Sequence, residues 1–137
     1  MCANTAMVWT DCYNIGLADV DLTKKDVVYS FNSLVHTLNA PSKTDISRNK
    51  IKIFSSSMAS VFMQEEHYMT YFEYQDHLLH KERHNNYLKR LCILSGKIAA
   101  GDQVVDQVLS FFCGWLTHHV SVTDQLFAIF LREHRNR

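Results

Sequence analysis

Residues 77–88 read HLLHKERHNNYL, from His77 to Leu88. His77, His80 and His84 are separated by three and then four residues, a spacing that returns side chains to one face of an α-helix. The same stripe continues through Tyr87, Leu91, Leu94 and Ile98, so the face is apolar beyond the histidines. A face of that kind turns toward a core, and the histidines turn with it. Neutral imidazole is both a metal ligand and an acid–base group. The stretch thus predicts a long helix that carries polar chemistry on its buried side.

The rest of the chain has the same periodicity. One proline, Pro41, and four glycines interrupt 137 residues, and so few breakers favour long helices. A first segment is expected from Val20 to Leu38, with Val20, Lys24, Val27, Phe31, Val35 and Leu38 inward. Asp19 or Asp21 can cap its start, and Pro41 is expected to end it. A second segment runs from Ile46 to Tyr71 with the stripe Ile51, Phe54, Met58, Val61, Glu65 and Met69. A third runs from Gln75 to Ala100, and Gly101 can close it. A fourth runs from Asp102 to Arg132, with Val105, Val108, Phe112, Trp115, His119, Leu126 and Phe130 inward. Four such helices with short connections predict an all-α, up-down-up-down antiparallel four-helix bundle. Residues 1–18 read as an extended N-terminal arm anchored by Trp9 and Tyr13.

The length suits a single domain spanning residues 1–137. Charges balance at 14 acidic and 14 basic residues, so no basic excess points to nucleic acid. No stretch approaches the roughly 18 apolar residues of a membrane span, and the opening MCANTAMVWTDCYN lacks a signal-peptide pattern. Cys2, Cys12, Cys92 and Cys113 show no metal-ligand spacing. They read as reduced thiols in a cytoplasmic protein, with Cys92 and Cys113 as small core residues.

Lys24, Glu65, His80, His84 and His119 all fall where leucine would be expected. Lysine and glutamate are almost never fully buried unless paired, and burying such groups without partners is costly. The economical reading is that they converge on one another or on a metal, as ligands from facing helices do in bundle cores.

At this point the chain resembles the hemerythrins, specifically the bacterial ones, over nearly its whole length. EEHYM at Glu65–Met69 resembles the carboxylate segment of the family's second helix. HKERH at His80–His84 matches its HxxxH pair. WLTHHVSVTD at Trp115–Asp124 matches its W-x-x-x-H-x-x-x-x-D pattern, and MVWTDCYNIGLADVD resembles its N-terminal arm. The resemblance implies two irons bridged by a Glu and an Asp, here Glu65 and Asp124, with Glu66 as the alternative to Glu65. It implies that one iron takes His80, His84 and His119. His77 reads as a neighbour of that site or as an exposed residue.

The other iron of the family takes two further histidines, and their places here are Lys24 and Val61. Neither can serve: valine has no donor atom, and a protonated lysine has no free lone pair. The expected cofactor is therefore one non-haem iron ion, with a di-iron pair, zinc, manganese or no metal as alternatives. The expected function is small-ligand (O2 or NO) or redox sensing or binding rather than reversible oxygen carriage, acting on a protein partner. No catalytic residue is assigned, although a peroxidase or nitric-oxide-handling activity is an open alternative. The other reading is a metal-free bundle that serves as an interaction module. Lys24 is expected within about 4 Å of Glu65 or Asp124, the usual ion-pair range, because buried carboxylates need a counter-charge.

Overall fold

The computed structural model describes residues 7–40 and 44–134. Helix α1 spans Ala18–Leu38, α2 Thr44–Tyr71 and α3 His77–Ala99. The fourth rod is continuous but has three parts: α4 (Val105–Gly114), a π-helical segment (Trp115–Thr123) and α5 (Asp124–His134). No strand occurs among the described residues, and the rods form the expected all-α four-helix bundle. Pro41 and residues 1–6 of the arm lie outside the described residues.

The arm from Met7 to Leu17 carries a short 3-10 turn, Asp11–Tyr13. It lies against α1, where Asn32 exchanges two hydrogen bonds of 2.8 Å with the Met7 backbone. Trp9 and Tyr13 pack on the core and on each other, 5.0 Å between ring centroids. Asp21 does not cap α1 as its position suggested. Its buried carboxylate accepts the Ile15 and Gly16 N–H groups at 2.8 and 3.1 Å and ties the arm to the helix. Asp19 stays at the helix start, accepting the Val20 N–H at 2.9 Å.

Gly101 ends the α3 connection with φ of +85°, a left-handed conformation that glycine adopts without a Cβ penalty. Between α2 and α3 the buried Tyr74 donates its N–H to the Met69 carbonyl at 2.8 Å, and Glu73 takes the left-handed turn position with φ of 57°.

Two apolar clusters fill the bundle. The larger includes Val27, Phe31, Phe54, Met58, Val61, Phe62, Leu91, Phe112 and Trp115. The smaller includes Ile15, Val20, Met69, Tyr74, Phe127 and Leu131. Along α1 the chain passes from Val20 in one cluster through Lys24 to Val27 in the other. Along α2 it passes from Phe62 through Glu65 to Met69. The polar interior residues therefore form a layer between two dry plugs.

The fourth rod departs from the expected stripe at one place. Val108, Phe112, Trp115 and His119 are buried as expected, but Leu126 is 53% exposed and Phe130 only half-buried. The buried positions beyond His119 are Thr123, Asp124, Phe127, Ala128 and Leu131. A π turn holds one residue more than an α turn, so everything after it is displaced by one position. The cysteine expectations also change. Cys92 is exposed and free, and Cys113 is half-buried and disulfide-bonded rather than a reduced core thiol.

Candidate metal centre

All three rods that face α1 contribute to the polar layer. Glu65 comes from α2, His80 and His84 from adjacent turns of α3, His119 from the π segment and Asp124 from the first residue of α5. All five are buried, with exposures of 0 to 2%. In a regular α-helix, residues five apart project about 140° from each other. The π segment removes that mismatch: the Asp124 N–H bonds the His119 carbonyl, five residues back. Ser121 and Thr123 hydroxyls donate to the Leu116 and His118 carbonyls, also five back. His119 and Asp124 thereby reach the same interior point, with His119 Nε2 3.0 Å from Asp124 Oδ1.

The five residues present one donor atom each, and these atoms all lie within 4.8 Å of one another. His80 Nε2 is 3.0 Å from Asp124 Oδ1 and 3.9 Å from Glu65 Oε1. His84 Nε2 is 3.1 Å from Glu65 Oε1 and 3.1 Å from His119 Nε2. A transition metal bound at 2.0–2.2 Å holds opposite donors at most about 4.4 Å apart, so a contraction of a few tenths of an ångström closes the set. Glu65 Oε1, His80 Nε2 and Asp124 Oδ1 face this common point, in close contact with one another but without a well-aligned hydrogen bond. Three imidazoles with two carboxylates are a donor set for iron, zinc or manganese. The residues present fit one metal ion.

The other half of the layer holds Lys24. Its ammonium is fully buried, 3.0 Å from Glu65 Oε2 and 2.9 Å from Asp124 Oδ2. This is the contact expected from charge balance. Each carboxylate thus turns one oxygen to the imidazoles and the other to the lysine. Val61, at the remaining replaced position, is buried in the larger apolar cluster. The Lys24 ammonium bridges the two carboxylates as a cation would.

Burial works against every charge in the layer, but mutual pairing overrides it. The Lys24 ammonium is held above its ordinary range because Asp124 and Glu65 offset its desolvation. Burial and the nearby Asp124 would raise Glu65, yet Lys24, His80 and His84 hold it well below the carboxylate range. Asp124 is lowered likewise, against burial, by Lys24, His119 and His80. Burial opposes protonation of His80, but its contacts with Asp124 and Glu65 push it up to about 9. His84 is raised despite burial by Glu65 and Glu66.

Glu66, the alternative to Glu65 as an interior carboxylate, lies on the outer side of His84 and accepts the Nδ1–H at 2.7 Å. That bond fixes the ring and leaves Nε2 to face the interior, as carboxylate partners of metal-bound histidines do. Phe62 stacks on the other face of the same ring, 4.0 Å between centroids and 7° from parallel. Only its position, one residue from a core carboxylate, hinted at the role. His77 is half-buried at the start of α3, with Nδ1 3.2 Å from the Tyr74 carbonyl, and does not join the cluster.

No family model matches the chain. The chain is 24% identical over 131 residues to a bacteriohemerythrin of Stenotrophomonas maltophilia, covering 96% of this chain and 85% of that protein. It is 26% identical over 118 residues to a bacteriohemerythrin of Pseudomonas paraeruginosa, covering 86% and 76%. Together with the helical bundle and its buried cluster, these similarities support a divergent hemerythrin-like family.

Proposed function

We propose that this divergent hemerythrin-like chain binds one non-haem metal ion, iron in its native state, through His80, His84, His119, Glu65 and Asp124. It acts in sensing or binding a small ligand or a redox change, not as a reversible oxygen carrier and not as an enzyme. The observation that carries this reading is the Lys24 ammonium set between Glu65 and Asp124 at 3.0 and 2.9 Å. A second cation there would meet a fixed positive charge and no private imidazole ligand. Bound iron would supply an electron and a coordination position for a diatomic ligand. The chain's own residues hold the site: Glu66 orients His84, Phe62 stacks on it, and Lys24 neutralises the carboxylate oxygens turned away from the metal. A signal generated at the site would pass to a protein partner.

One observation favours a second reading. The layer is charge-balanced without metal: two carboxylates face the Lys24 ammonium and a His80 that retains its proton up to about pH 9. A metal-free bundle that presents its surface to a partner is compatible with that balance. Elemental analysis of protein purified without added metal separates the two. A ratio near one metal per chain, lost in His84→Ala, supports the metal reading, since ligand removal also removes the folding energy that metal supplies. A ratio near two overturns the role given to Lys24, and a ratio near zero after iron loading leaves the interaction module.

A further inference from the structure

On the outer side of His119, between α3 and the π segment, the surface opens into a cavity of about 490 Å³. Arg83 and Arg90 stand on its α3 wall, seven residues apart on one helical face. Val122 and Leu126 form the opposite apolar wall, and His119 lies at its inner side. No lining residue carries a carboxylate.

The two guanidinium groups are ordered but not neutralised. Arg83 Nη1 donates to Thr123 Oγ1 at 3.1 Å. Arg90 lies over the Tyr87 and Phe111 rings, 5.9 and 5.0 Å from their centroids. Among the described residues neither Arg83 nor Arg90 forms an ion pair, although Asp106 shares a neighbouring groove with Arg90. Arginine loses entropy when it is fixed in place, and in a chain with as many acids as bases an ordered, unpaired pair at one cavity calls for an anion. His119 adds an independent sign. It is 99% buried, its Nε2 faces the metal cluster, and its Nδ1 has no hydrogen-bond partner. His84 has Glu66 on its Nδ1, whereas no described residue places a carboxylate on the Nδ1 of His119.

We propose that this cavity is a binding site for a small organic dianion with two carboxylates on a short apolar chain. Seven residues of helix separate the arginines by about 10 Å along the axis, so two acidic groups match them better than one. Each carboxylate can pair with a planar guanidinium, and the methylenes between them would cover Val122 and Leu126, which are 54% and 53% exposed. Bound there, the dianion lies on the far side of the His119 ring from the cluster.

The test is calorimetric titration of the metal-free protein with succinate, glutarate and adipate, with acetate and inorganic phosphate as comparators. One saturable site is expected for at least one of the diacids. Arg83→Gln and Arg90→Gln should each weaken it by about tenfold or more, the loss expected for one charge-assisted hydrogen bond. Both side chains are exposed, so the variants should keep the native far-UV spectrum. The ring nitrogens of His119, followed by 15N labelling, should shift on saturation. The proposal is overturned if no diacid binds better than acetate or phosphate, if either natively folded variant binds like the parent, or if the His119 resonances do not move. The titration uses metal-free protein, so its failure is distinct from a failure to bind iron.

Discussion

Lys24 shows how one side chain can set the charge balance of a buried site. A lysine on the inward stripe of α1 was legible as an anomaly from periodicity alone, and charge balance pointed it at Glu65 or Asp124. The structure places it 3.0 and 2.9 Å from both. The role of Glu66 was not legible, because a carboxylate one residue from another differs from it by only about 100° around the helix, and only the packing of α3 decides which of the two faces inward. Lys24→Met removes the counter-charge and leaves two buried carboxylates facing each other. Removing one partner of a buried pair costs about 3–5 kcal/mol, and urea denaturation at neutral pH should show a loss of that order. A loss no larger than a surface substitution gives, about 0.5 kcal/mol, would mean that the ammonium does not hold the layer together. Replacing Lys24 and Val61 together by His restores two imidazoles to the half-site. The metal-to-protein ratio of that double variant should rise from one to two, and a ratio that stays at one would show that the vacated half has closed by packing.

At the level of the element, the π segment decides how far the fourth rod can be read from sequence. The spacing of five between His119 and Asp124 is visible there, but an interior stripe continued at 3.6 residues per turn puts Leu126 and Phe130 in the core. Periodicity is read by assuming a constant turn, so a single extra residue is invisible to it and shifts every later position by one. The shift is seen directly in the burial of Phe127 and Leu131 and the exposure of Leu126. A deletion tests this account. Removing the exposed Val122 leaves three residues between His119 and Asp124, a spacing of four that puts them on one face of a regular α-helix and returns Phe127, Ala128 and Leu131 to the α stripe. The variant should keep a helical far-UV spectrum and a cooperative melt. Removing Ile129 instead, beyond the π segment, turns the last helical turns about 100° away from the core and should lower the melting temperature. If deletion of Val122 is the more damaging of the two, the register explanation is wrong.

For the molecule as a whole, the polar layer between two apolar plugs ties stability to pH, and the direction differs for each kind of group. Glu65 and Asp124 are held below their ordinary values of 4.5 and 3.8. The unfolded chain therefore binds more protons than the folded one in acid. Their contribution is complete above about pH 4.5 and is lost as pH falls, by up to about 1.4 kcal/mol per unit for each group. His80 behaves oppositely. Its folded value of about 9 lies above the ordinary 6.5, so the folded protein holds a proton that the unfolded chain has released. That contribution is complete below pH 6.5 and disappears as pH rises toward 9, by up to about 3 kcal/mol in all. Lys24 is raised as well, and its contribution begins to fall only above its ordinary value of 10.5. Metal-free protein should thus be most stable between about pH 4.5 and 6.5 and should weaken on both sides. A metal-bound site requires His80 in its neutral form, so metal saturation should remove the decline between pH 6.5 and 9 and strengthen with pH instead. Denaturation midpoints across this range, with and without iron(II) under anaerobic conditions, measure both limbs. Parallel profiles for the two forms would show that His80 is not exchanging its proton for the metal, and would count against the ligand set.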